Sequence, residues 1–435
     1  MTGLYGVAGN PVLHSRSPQM HNAAFRKLGI DAAYVRLAAV SAEEALGTAR
    51  EMGLLGLNVT SPFKEEMAGI VEAADESARK LGAVNTVVIR EGKIEGHNTD
   101  PDGVGTALRE SGVELRGAKA VVIGAGGAAK AAALALLNNG ASVRIANRTA
   151  PKAEKAAQEL GCGACGMEEL DDALSDAEVL VSTLSTIERV VRPESLRKGL
   201  AVLEANYSSE TSLSRDARSR GCKIVSGLDW LLFQGAKAFG IFTGKEPPVA
   251  EMRNALYSAA AGDRGPEAKG ERIALIGMMG SGKDTVARAL GARTGKEVLD
   301  VDSMVEKRAG KEISRIFSED GEAAFRKMEE KELLNSLGQE GIINCGGGAV
   351  LGKKGRELVK ARAVSVWLWA SPETLASRIR PDGTRPLLGT GDSAGRLAGI
   401  LRGRMGAYAD ASDMVINTGS CPPERAAERI MHEIH

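Results

Sequence analysis

Two glycine-rich loops, each directly after a short apolar segment, have the clearest chemical meaning in this sequence. The first is Gly124-Ala-Gly126-Gly127, and the second runs from Gly277 through Gly280 and Gly282 to Lys283. A loop of the first kind places a dinucleotide pyrophosphate on a helix N-terminus. The second kind surrounds a nucleoside triphosphate with backbone N–H groups and adds a lysine for the outer phosphates. The sequence therefore predicts a hydride-transfer site and a phosphoryl-transfer site in one chain.

The segment after the next predicted strand, 142–146, bears on the choice of dinucleotide. An acidic residue there would bind the ribose 2′-hydroxyl of NAD, but the sequence has Asn147-Arg148-Thr149. Because an arginine pairs with a 2′-phosphate, this favours NADP, the alternative being an exposed arginine at a strand end. The expected cofactor contacts are Gly124, Gly126, Gly127, Ala128, Asn147, Arg148 and Thr149.

Three polar clusters in the first hundred residues lie at or just after the ends of predicted strands. They occupy residues 11–22, 58–64 and 96–100, and they include Lys64 and Asp100. Open α/β sheets bind ligands at this edge. The clusters are otherwise explained as turns with capping residues.

At these residues the chain resembles the shikimate dehydrogenase family, over about residues 1–260. The motifs are His14-Ser15-Arg-Ser17-Pro, Asn58-Val-Thr60-Ser-Pro-Phe-Lys64, Gly82-Ala-Val-Asn85-Thr and Asn98-Thr-Asp100. The resemblance implies that Lys64 and Asp100 are the catalytic pair. It implies substrate contacts from Ser15, Ser17, Asn58, Thr60, Asn85, Asp100, Tyr207 and Gln234. His14 and His21 are interpreted as structural, since the lysine–aspartate pair already supplies the proton.

The residues after the second loop resemble the shikimate kinase family, over about residues 270–435. The signals are Asp300-Val-Asp302, Phe325-Arg326, Cys345-Gly346-Gly347-Gly348, Arg385-Pro-Leu-Leu and Arg404. The resemblance implies that Asp302 takes the proton of the attacking hydroxyl and that Arg385 closes over the phosphates from a lid. It implies a substrate clamp of Arg326, Gly347, Gly348 and Arg404. Expected ATP contacts are Gly277, Gly280, Gly282, Lys283, Thr285 and Arg385.

One position departs from the kinase pattern, which has Ser or Thr after the loop lysine to bind Mg²⁺ through a hydroxyl. This chain has Asp284 there, followed by Thr285. A carboxylate could bind the metal directly, or it could repel the β-phosphate and weaken ATP binding. Both alternatives stay open, and the predicted metal ligands are Asp284 and Asp300.

Composition limits the class of protein. The chain has 435 residues, 43% of them hydrophobic and 26% charged, with a formal net charge of zero. This length fits two to three domains, and the charge balance predicts neither a nucleic-acid nor a membrane partner. The N-terminus lacks signal-peptide features, and the odd number of cysteines, five, is typical of a reducing compartment. We therefore expect a cytoplasmic protein acting on small molecules, with its oligomeric state open.

Alternation of predicted strands and helices indicates an α/β fold. The strands are expected at 32–37, 56–59, 84–89, 120–123, 142–146, 178–182, 201–204, 222–225, 272–276, 297–300, 341–344, 363–369 and 414–417. Residues 1–105 with 229–260 are expected to form a substrate-binding domain, and 106–228 a Rossmann-like NADP domain. A Gly-, Pro- and charge-rich linker at 261–270 then precedes a P-loop kinase domain, 271–435, with a five-stranded parallel sheet and a lid.

The predicted function is bifunctional: NADPH-dependent reduction of 3-dehydroshikimate to shikimate, then phosphorylation of shikimate at the 3-hydroxyl by ATP with Mg²⁺. Direct channelling between the sites is a hypothesis motivated by the fusion. The alternatives are a quinate/NAD preference, a ligand-sensing module without turnover, and a structural nucleotide-binding scaffold. Arg148 argues against the first, and intact Lys64, Asp100, Lys283 and Asp302 argue against the second.

Overall fold

A computed structural model describes residues 3–184, 186–262, 272–379, 393–419 and 421–434, and it has an α/β fold. The strands are β1 Gly3–Gly9, β2 Ala32–Ala38, β3 Leu54–Val59, β4 Ala73–Ala74, β5 Thr86–Arg90, β6 Lys93–His97, β7 Lys119–Ile123, β8 Ser142–Ala146, β9 Gly163–Cys165, β10 Val179–Ser182, β11 Ala201–Glu204, β12 Lys223–Ser226, β13 Arg272–Ile276, β14 Val298–Asp300, β15 Gly341–Asn344, β16 Val364–Trp369 and β17 Met414–Asn417.

The helices fill the segments between the strands. They are α1 Ser17–Lys27, α2 Ala42–Met52, α3 Lys64–Ala68, α4 Glu76–Leu81, α5 Asp100–Glu110, α6 Gly127–Asn138, α7 Ala150–Leu160, α8 Leu170–Ser175, α9 Ser212–Ser219, α10 Gly227–Thr243, α11 Val249–Gly262, α12 Lys283–Thr294, α13 Val301–Ala309, α14 Ile313–Glu319, α15 Glu322–Ser336, α16 Lys353–Arg362, α17 Pro372–Arg378, α18 Ser393–Ala411 and α19 Pro423–Ile434. No helix in the described ranges is long and apolar enough to cross a membrane.

The chain forms two compact units that cut across the sequence order. The first contains residues 1–18, 29–63 and 259–435, and the second contains residues 19–28 and 64–258. The predicted substrate-binding domain is thus divided between the units, and part of it groups with the kinase residues. The three-domain division therefore stays a prediction.

The first unit is built on eight parallel strands in the order β14-β15-β13-β16-β17-β2-β1-β3. Strands of a parallel sheet covered on both faces are continuously apolar, and β16, Val-Ser-Val-Trp-Leu-Trp, is buried at every position. The first five strands in this order are the predicted kinase sheet. Strand β17 pairs with β2 through Val415–Leu37 and Ile416–Ala38, so the kinase sheet continues into N-terminal strands.

The second unit contains a parallel sheet of six strands, in the order β12-β11-β10-β7-β8-β9. The central β7 pairs with β8 and β10, and the glycine-rich loop Gly124–Gly127 follows it. A smaller group in this unit has β5 antiparallel to β6, with β4 beside β6. Helix α10 packs against α5, which begins at Asp100.

The predicted α/β class, with a Rossmann-like part and a P-loop part, is confirmed. All thirteen predicted strands are present within one or two residues of their expected ends. Strand β1 was missed because its three glycines in seven residues, Gly-Leu-Tyr-Gly-Val-Ala-Gly, hide the apolar pattern. The short β4, β6 and β9 were also missed. Of the expected linker, 261 and 262 still belong to α11, and 263–270 lie outside the described residues.

Candidate active sites

The structure brings Lys64 and Asp100 into direct contact. The Lys64 Nζ lies 2.6 Å from Asp100 Oδ2, and the Lys64 and Asp100 side chains are 28% and 10% exposed. The two residues begin α3 and α5 respectively. A carboxylate at a helix start is favoured by the helix dipole. Burial of the pair keeps competing water away from most of the carboxylate, so the lysine is held in one orientation.

Amide side chains hold this pair in place. Asn98 Oδ1 accepts from the Asp100 N–H at 3.1 Å, while Asn98 Nδ2 donates to the Ala83 carbonyl at 2.8 Å. Asn85 Oδ1 accepts from the Thr99 N–H at 2.9 Å. Gln234 joins the same network, since its Oε1 lies 3.5 Å from Asn85 Nδ2 and 3.3 Å from Thr99 Oγ1. Four predicted residues of the second unit, Lys64, Asn85, Asp100 and Gln234, are therefore connected. Tyr207 follows β11 and is partly buried.

In the first unit, the predicted substrate residues Ser15, Ser17 and Asn58 form a buried polar group. The Ser15 and Ser17 hydroxyls are 3.3 Å apart, and Tyr34 donates to Asn58 Oδ1 at 2.6 Å. Tyr34 also interacts with the Ser17 side chain, although burial raises the pKa of its phenol well above the ordinary value. Thr60 follows β3, and its Cγ2 lies 2.4 Å from the place that a Cβ on Gly9 would occupy, which requires glycine there.

The dinucleotide loop has room for an anion at the start of α6. Gly124 has φ +118°, and a Cβ there would lie 2.3 Å from Thr183 Oγ1. A Cβ on Gly126 or Gly127 would meet nothing within 4 Å, and Gly126 caps α6 without a side-chain hydrogen bond. The first turn, which includes the exposed Ala128, has no acidic residue. Free N–H groups at a helix N-terminus fit a pyrophosphate.

The residues after β8 are arranged as a turn. Asn147 Nδ2 donates to the Thr149 carbonyl at 3.1 Å, and Thr149 caps α7. Arg148 is exposed between them. An exposed guanidinium at this strand end is able to meet a 2′-phosphate.

Burial supports a structural interpretation of His21. Its side chain is fully buried, and burial lowers the pKa of the imidazole to about 3. The ring stacks near Phe239 at a centroid distance of 6.1 Å. A ring that stays neutral throughout the physiological range is a packing residue rather than a proton donor.

The second glycine-rich loop is folded as a phosphate cradle between β13 and α12. Gly277, Gly280 and Gly282 have φ values of +144°, +79° and +87°. A Cβ on Gly277 would lie 2.4 Å from the Leu368 carbonyl oxygen, so glycine is required there. The buried Lys283 donates to the carbonyls of Gly277 and Met278, each at 3.1 Å. Thr285 Oγ1 donates to the Gly282 carbonyl at 2.8 Å.

Asn344, which closes β15, connects the two predicted metal ligands. Its Nδ2 donates to Asp284 Oδ1 at 2.8 Å and also to Asp300 Oδ2. Asp300 caps α13 by accepting from the Ser303 N–H at 2.7 Å. Asn344 is 5% exposed, and its buried Oδ1 has no hydrogen-bond partner among the described residues. Carboxylate and amide oxygens are the donor set that Mg²⁺ prefers, so these residues fit the metal.

No group of three or more His, Cys, Asp or Glu side chains in the described ranges is arranged to hold a metal by itself. Mg²⁺ in kinase sites usually takes one or two protein carboxylates and completes its shell with phosphate and water oxygens. The pair of aspartates is consistent with that shared arrangement.

Asp302, the predicted general base, lies in a buried and negatively charged environment. Burial raises the pKa of its carboxyl, Lys283 counteracts this, and Asp300 and Asp284 add to it. Within the part of the chain that the structure describes, its buried Oδ1 has no hydrogen-bond partner. A carboxylate destabilised in this way has a greater affinity for a proton than an exposed one, as a base requires.

The predicted clamp residues surround the glycine turn after β15. Arg404 Nη1 donates to the Gly347 carbonyl at 3.2 Å, and Arg326 lies where a Cβ on Gly348 would be. Arg326 is also bound to Glu329 at 2.6 Å and to Glu322 at 3.1 Å. Opposite charges raise the pKa of this arginine, while burial raises that of Glu329.

Some of the predicted kinase residues line a cavity of about 740 Å³, whose lining includes Gly347 but not Gly348, Arg326 or Arg404. Its wall includes the glycine-rich loop with Lys283, Asp284 and Thr285, together with Asp302, Asn344 and Gly347. It also includes Arg378, whose Nη2 donates to the Thr418 carbonyl at 2.6 Å. The volume suits a nucleotide or a drug-sized ligand. Arg385 lies outside the described residues.

Four functional candidates were missed by the sequence analysis. Asn344 and Arg378 had no motif to reveal them. Glu329 and Tyr408 stood beside recognised arginines, but their roles depend on contacts: the Tyr408 hydroxyl donates to the Gly347 carbonyl at 2.6 Å. Only the spacing Arg326-x-x-Glu329, which places both on one helix face, could have indicated a pair.

Comparison with known families agrees with this geometry. The model of the shikimate dehydrogenase substrate-binding domain matches residues 7–87, that of shikimate/quinate 5-dehydrogenase matches 106–207, and that of the shikimate 5′-dehydrogenase C-terminal domain matches 227–257. A shikimate dehydrogenase (NADP(+)) of Halobacterium salinarum is 46% identical over 261 residues, which are 58% of this chain and 98% of that protein. The chain belongs to the shikimate dehydrogenase family. A shikimate kinase model matches residues 279–435, so this member carries both domains of a bifunctional shikimate-pathway enzyme.

Solved structures agree with the dehydrogenase part. A shikimate 5-dehydrogenase of Thermus thermophilus in complex with NADP(H) and shikimate is 33% identical, with a TM-score of 0.56, covering 59% of this chain and 100% of that one. A quinate dehydrogenase of Corynebacterium glutamicum in complex with NAD is 29% identical with the same TM-score, 0.56, covering 59% and 99%. The predicted NADP agrees with the names of several of these relatives.

Proposed function

We propose that this enzyme reduces 3-dehydroshikimate to shikimate with NADPH and then phosphorylates the 3-hydroxyl of shikimate with ATP. The observation that carries the proposal is the partly buried Lys64–Asp100 pair, at 2.6 Å, in a chain that also has a phosphate cradle ending in Lys283. The product of the first reaction is the substrate of the second. Fusion raises the local concentration of shikimate at the kinase site.

In the dehydrogenase reaction, bound NADPH supplies the hydride. In this proposal Lys64 donates a hydrogen bond to the substrate oxygen and a proton to the alkoxide that forms. Asp100 keeps the ammonium group oriented and accepts a hydrogen bond from a substrate hydroxyl. We propose that Ser15, Ser17, Asn58, Thr60, Asn85, Tyr207 and Gln234 bind the carboxylate and hydroxyls of the substrate.

We propose that the pyrophosphate of NADPH binds at Gly126, Gly127 and Ala128, where the N-terminus of α6 is open. Arg148, with Asn147 and Thr149 fixing its turn, pairs with the 2′-phosphate. This phosphate is absent from NAD, so the arginine supplies the preference between the cofactors.

In the kinase reaction, Asp302 accepts the proton of the attacking 3-hydroxyl. Arg326 and Arg404 bind the shikimate carboxylate at the Gly347–Gly348 turn. The shikimate carboxylate then takes the place of Glu322 on Arg326, because the contact of Arg326 with Glu322 is more exposed than its contact with Glu329. The ammonium of Lys283 moves from the loop carbonyls to the phosphates. Thr285 and, by resemblance, Arg385 also contact the nucleotide. Phosphoryl transfer needs chiefly this positioning and charge neutralisation.

We further propose that Asp284 supports the kinase as a metal ligand. Hydrogen bonds from Asn344 hold the carboxylates of Asp284 and Asp300 beside one another. Both could therefore bind the same Mg²⁺ ion. Mg²⁺ bound there would neutralise charge on the transferred phosphate. Weak ATP binding through repulsion is the alternative, and Mg²⁺ dependence distinguishes the two.

A coupled assay tests the whole proposal. Full-length enzyme, 3-dehydroshikimate, NADPH and Mg–ATP should yield shikimate 3-phosphate. The Lys64→Ala enzyme should leave 3-dehydroshikimate unreacted, and the reaction with the Lys283→Ala enzyme should accumulate shikimate. Failure of the wild-type enzyme to oxidise NADPH, or to consume ATP when shikimate is supplied, would refute the corresponding half.

Quinate with NAD is a second candidate for the dehydrogenase, because a solved relative is a quinate dehydrogenase in complex with NAD. Turnover on quinate/NAD should be well below that on shikimate/NADP in the reverse direction. The opposite ratio would replace the first candidate.

We propose that the enzyme works in the cytoplasm. The support is that its five cysteines are all unpaired, as in a reducing compartment. Fractionation of cells that express the full chain would test this.

A further inference from the structure

The loop that carries Ser15 is tied to the C-terminal helix of the kinase domain. Glu433, near the end of α19, is 6% exposed. Its Oε2 accepts from the Val12 N–H at 2.7 Å and from the Leu13 N–H at 2.8 Å. Both loop residues are fully buried, so their N–H groups depend on this acceptor. Hydrogen bonds to an ionised carboxylate are stronger than neutral ones.

A second tie reaches the same loop through Arg36 of β2, which is 5% exposed. Its Nε donates to the Ser15 carbonyl at 2.8 Å, and its Nη1 donates to the Asp413 carbonyl at 3.0 Å. Asp413 directly precedes β17 of the kinase sheet. The Ser15 N–H also donates to the Val12 carbonyl at 2.9 Å. The two ties therefore hold both ends of one turn.

Side-chain contacts between neighbouring elements support the pairing of β17 with β2. Asn417 Nδ2 donates to Thr48 Oγ1 at 3.0 Å, in a buried position. Arg429 binds Glu44 at 2.7 Å, with both side chains under 20% exposed. Strand β17 is therefore fixed to β2 and α2, and helix α19 is fixed to α2.

The position of this loop affects more than one proposed substrate contact. The Ser15 hydroxyl is 3.3 Å from that of Ser17, which interacts with Tyr34. Tyr34 in turn donates to Asn58 at 2.6 Å. A displacement of the Val12–Leu13 backbone would move a connected polar group rather than a single hydroxyl.

We propose that Glu433 and the backbone of Asp413 are positioning residues for the dehydrogenase reaction. They belong to the kinase domain, yet they hold the loop that presents Ser15 and Ser17 to 3-dehydroshikimate. The match to the Halobacterium salinarum relative covers 98% of that protein but 58% of this chain. That protein therefore has no room for a kinase domain that could hold the loop. The inference rests on the proposed substrate role of Ser15 and Ser17.

The test uses full-length variants and measures both activities on the same preparations. In Glu433→Gln the side chain keeps its size and an acceptor oxygen, but it loses the negative charge that strengthens both hydrogen bonds from the Val12 and Leu13 N–H groups. We expect the KM for 3-dehydroshikimate to rise about five- to tenfold, with the KM for NADPH and the kinase constants unchanged. Arg36→Lys, which cannot reach both carbonyls, should act in the same direction.

Glu428→Gln is the matched control, because Glu428 lies on the same helix and binds only exposed arginine side chains in the described residues. It should leave every constant unchanged. An unaltered KM for 3-dehydroshikimate in both Glu433→Gln and Arg36→Lys would overturn the inference. So would a parallel loss of both activities, or insoluble protein from both variants, because these residues would then stabilise the fold in general.

A Ser15→Ala variant separates this inference from the proposed function. If Ser15→Ala raises the KM for 3-dehydroshikimate and Glu433→Gln does not, only the positioning role fails. If Ser15→Ala also leaves that KM unchanged, the proposed substrate role of the loop fails, and the positioning role fails with it.

Discussion

The two catalytic centres balance their charges in opposite ways. In the dehydrogenase centre a lysine and an aspartate neutralise one another at 2.6 Å, and amide side chains hold the pair. In the kinase centre, burial together with Asp284 and Asp300 raises the pKa of Asp302. The dehydrogenase pair is therefore neutral by itself, whereas the kinase centre brings three aspartates together, and a bound cation can reduce the repulsion among them.

The largest expected effect breaks the matched pair. Lys64→Ala should lower dehydrogenase kcat by about 10²–10⁴-fold, the range for loss of a positioned acid or base. NADPH oxidation measures this. Kinase turnover on added shikimate should be unchanged, and Lys283→Ala should give the reverse pattern. A Lys64→Ala enzyme with near wild-type kcat would show that another group supplies the proton.

The next-largest effect is expected at Asp284, a predicted metal ligand, and at Asn344, which binds it. Asp284→Ser should raise the Mg²⁺ concentration needed for half-maximal kinase activity, and Asn344→Ala should do so by about 10–100-fold, as for other partners of metal ligands. Titration of kinase activity with Mg²⁺ at saturating ATP measures both. If Asp284→Ser instead increased kcat with an unchanged Mg²⁺ requirement, the native aspartate would be a handicap.

A smaller effect is expected at the exposed Arg148. Arg148→Ala should raise the KM for NADPH about tenfold, since one charge-assisted contact to phosphate is lost. The KM for NADH, which has no 2′-phosphate, should not change. Arg144→Ala, in the preceding strand β8 and also exposed, is the control. Equal changes for both cofactors would mean that Arg148 does not contact the 2′-phosphate.

The smallest effect is a shift of pH dependence. Asp302 acts deprotonated, and its pKa is raised above the ordinary value of 3.8. When the pH is lowered, kinase kcat/KM for shikimate should therefore fall, and the inflection of this fall should lie at a pH above 3.8. Since kcat/KM reports the free enzyme, the profile is measured at low shikimate. An Asp284→Ser enzyme should show a lower inflection, because one of the charges that raise the pKa is removed. An unshifted inflection would contradict this cause.

Local pattern was sufficient for most of the strands and for both glycine loops, although it missed β1, β4, β6 and β9. The apolar runs at β13, β15 and β17 are bounded by loops, and the strands lie where predicted. The pattern failed at β1, where glycines replace apolar side chains. Asn344 could not be found at all, because its function as a link between Asp284 and Asp300 requires residues 60 and 44 positions away.

By itself, the sequence determined the α/β class, the two phosphate loops and the residues that resemble two families, because these depend on short-range spacing and on side-chain chemistry. Only the tertiary structure decided that β17 pairs with β2. It also decided that Glu433 binds the N–H groups of Val12 and Leu13, which lie 421 and 420 positions earlier in the chain. Hydrogen bonds between distant segments depend on which strands become neighbours in space. No local period or motif in the chain records that choice.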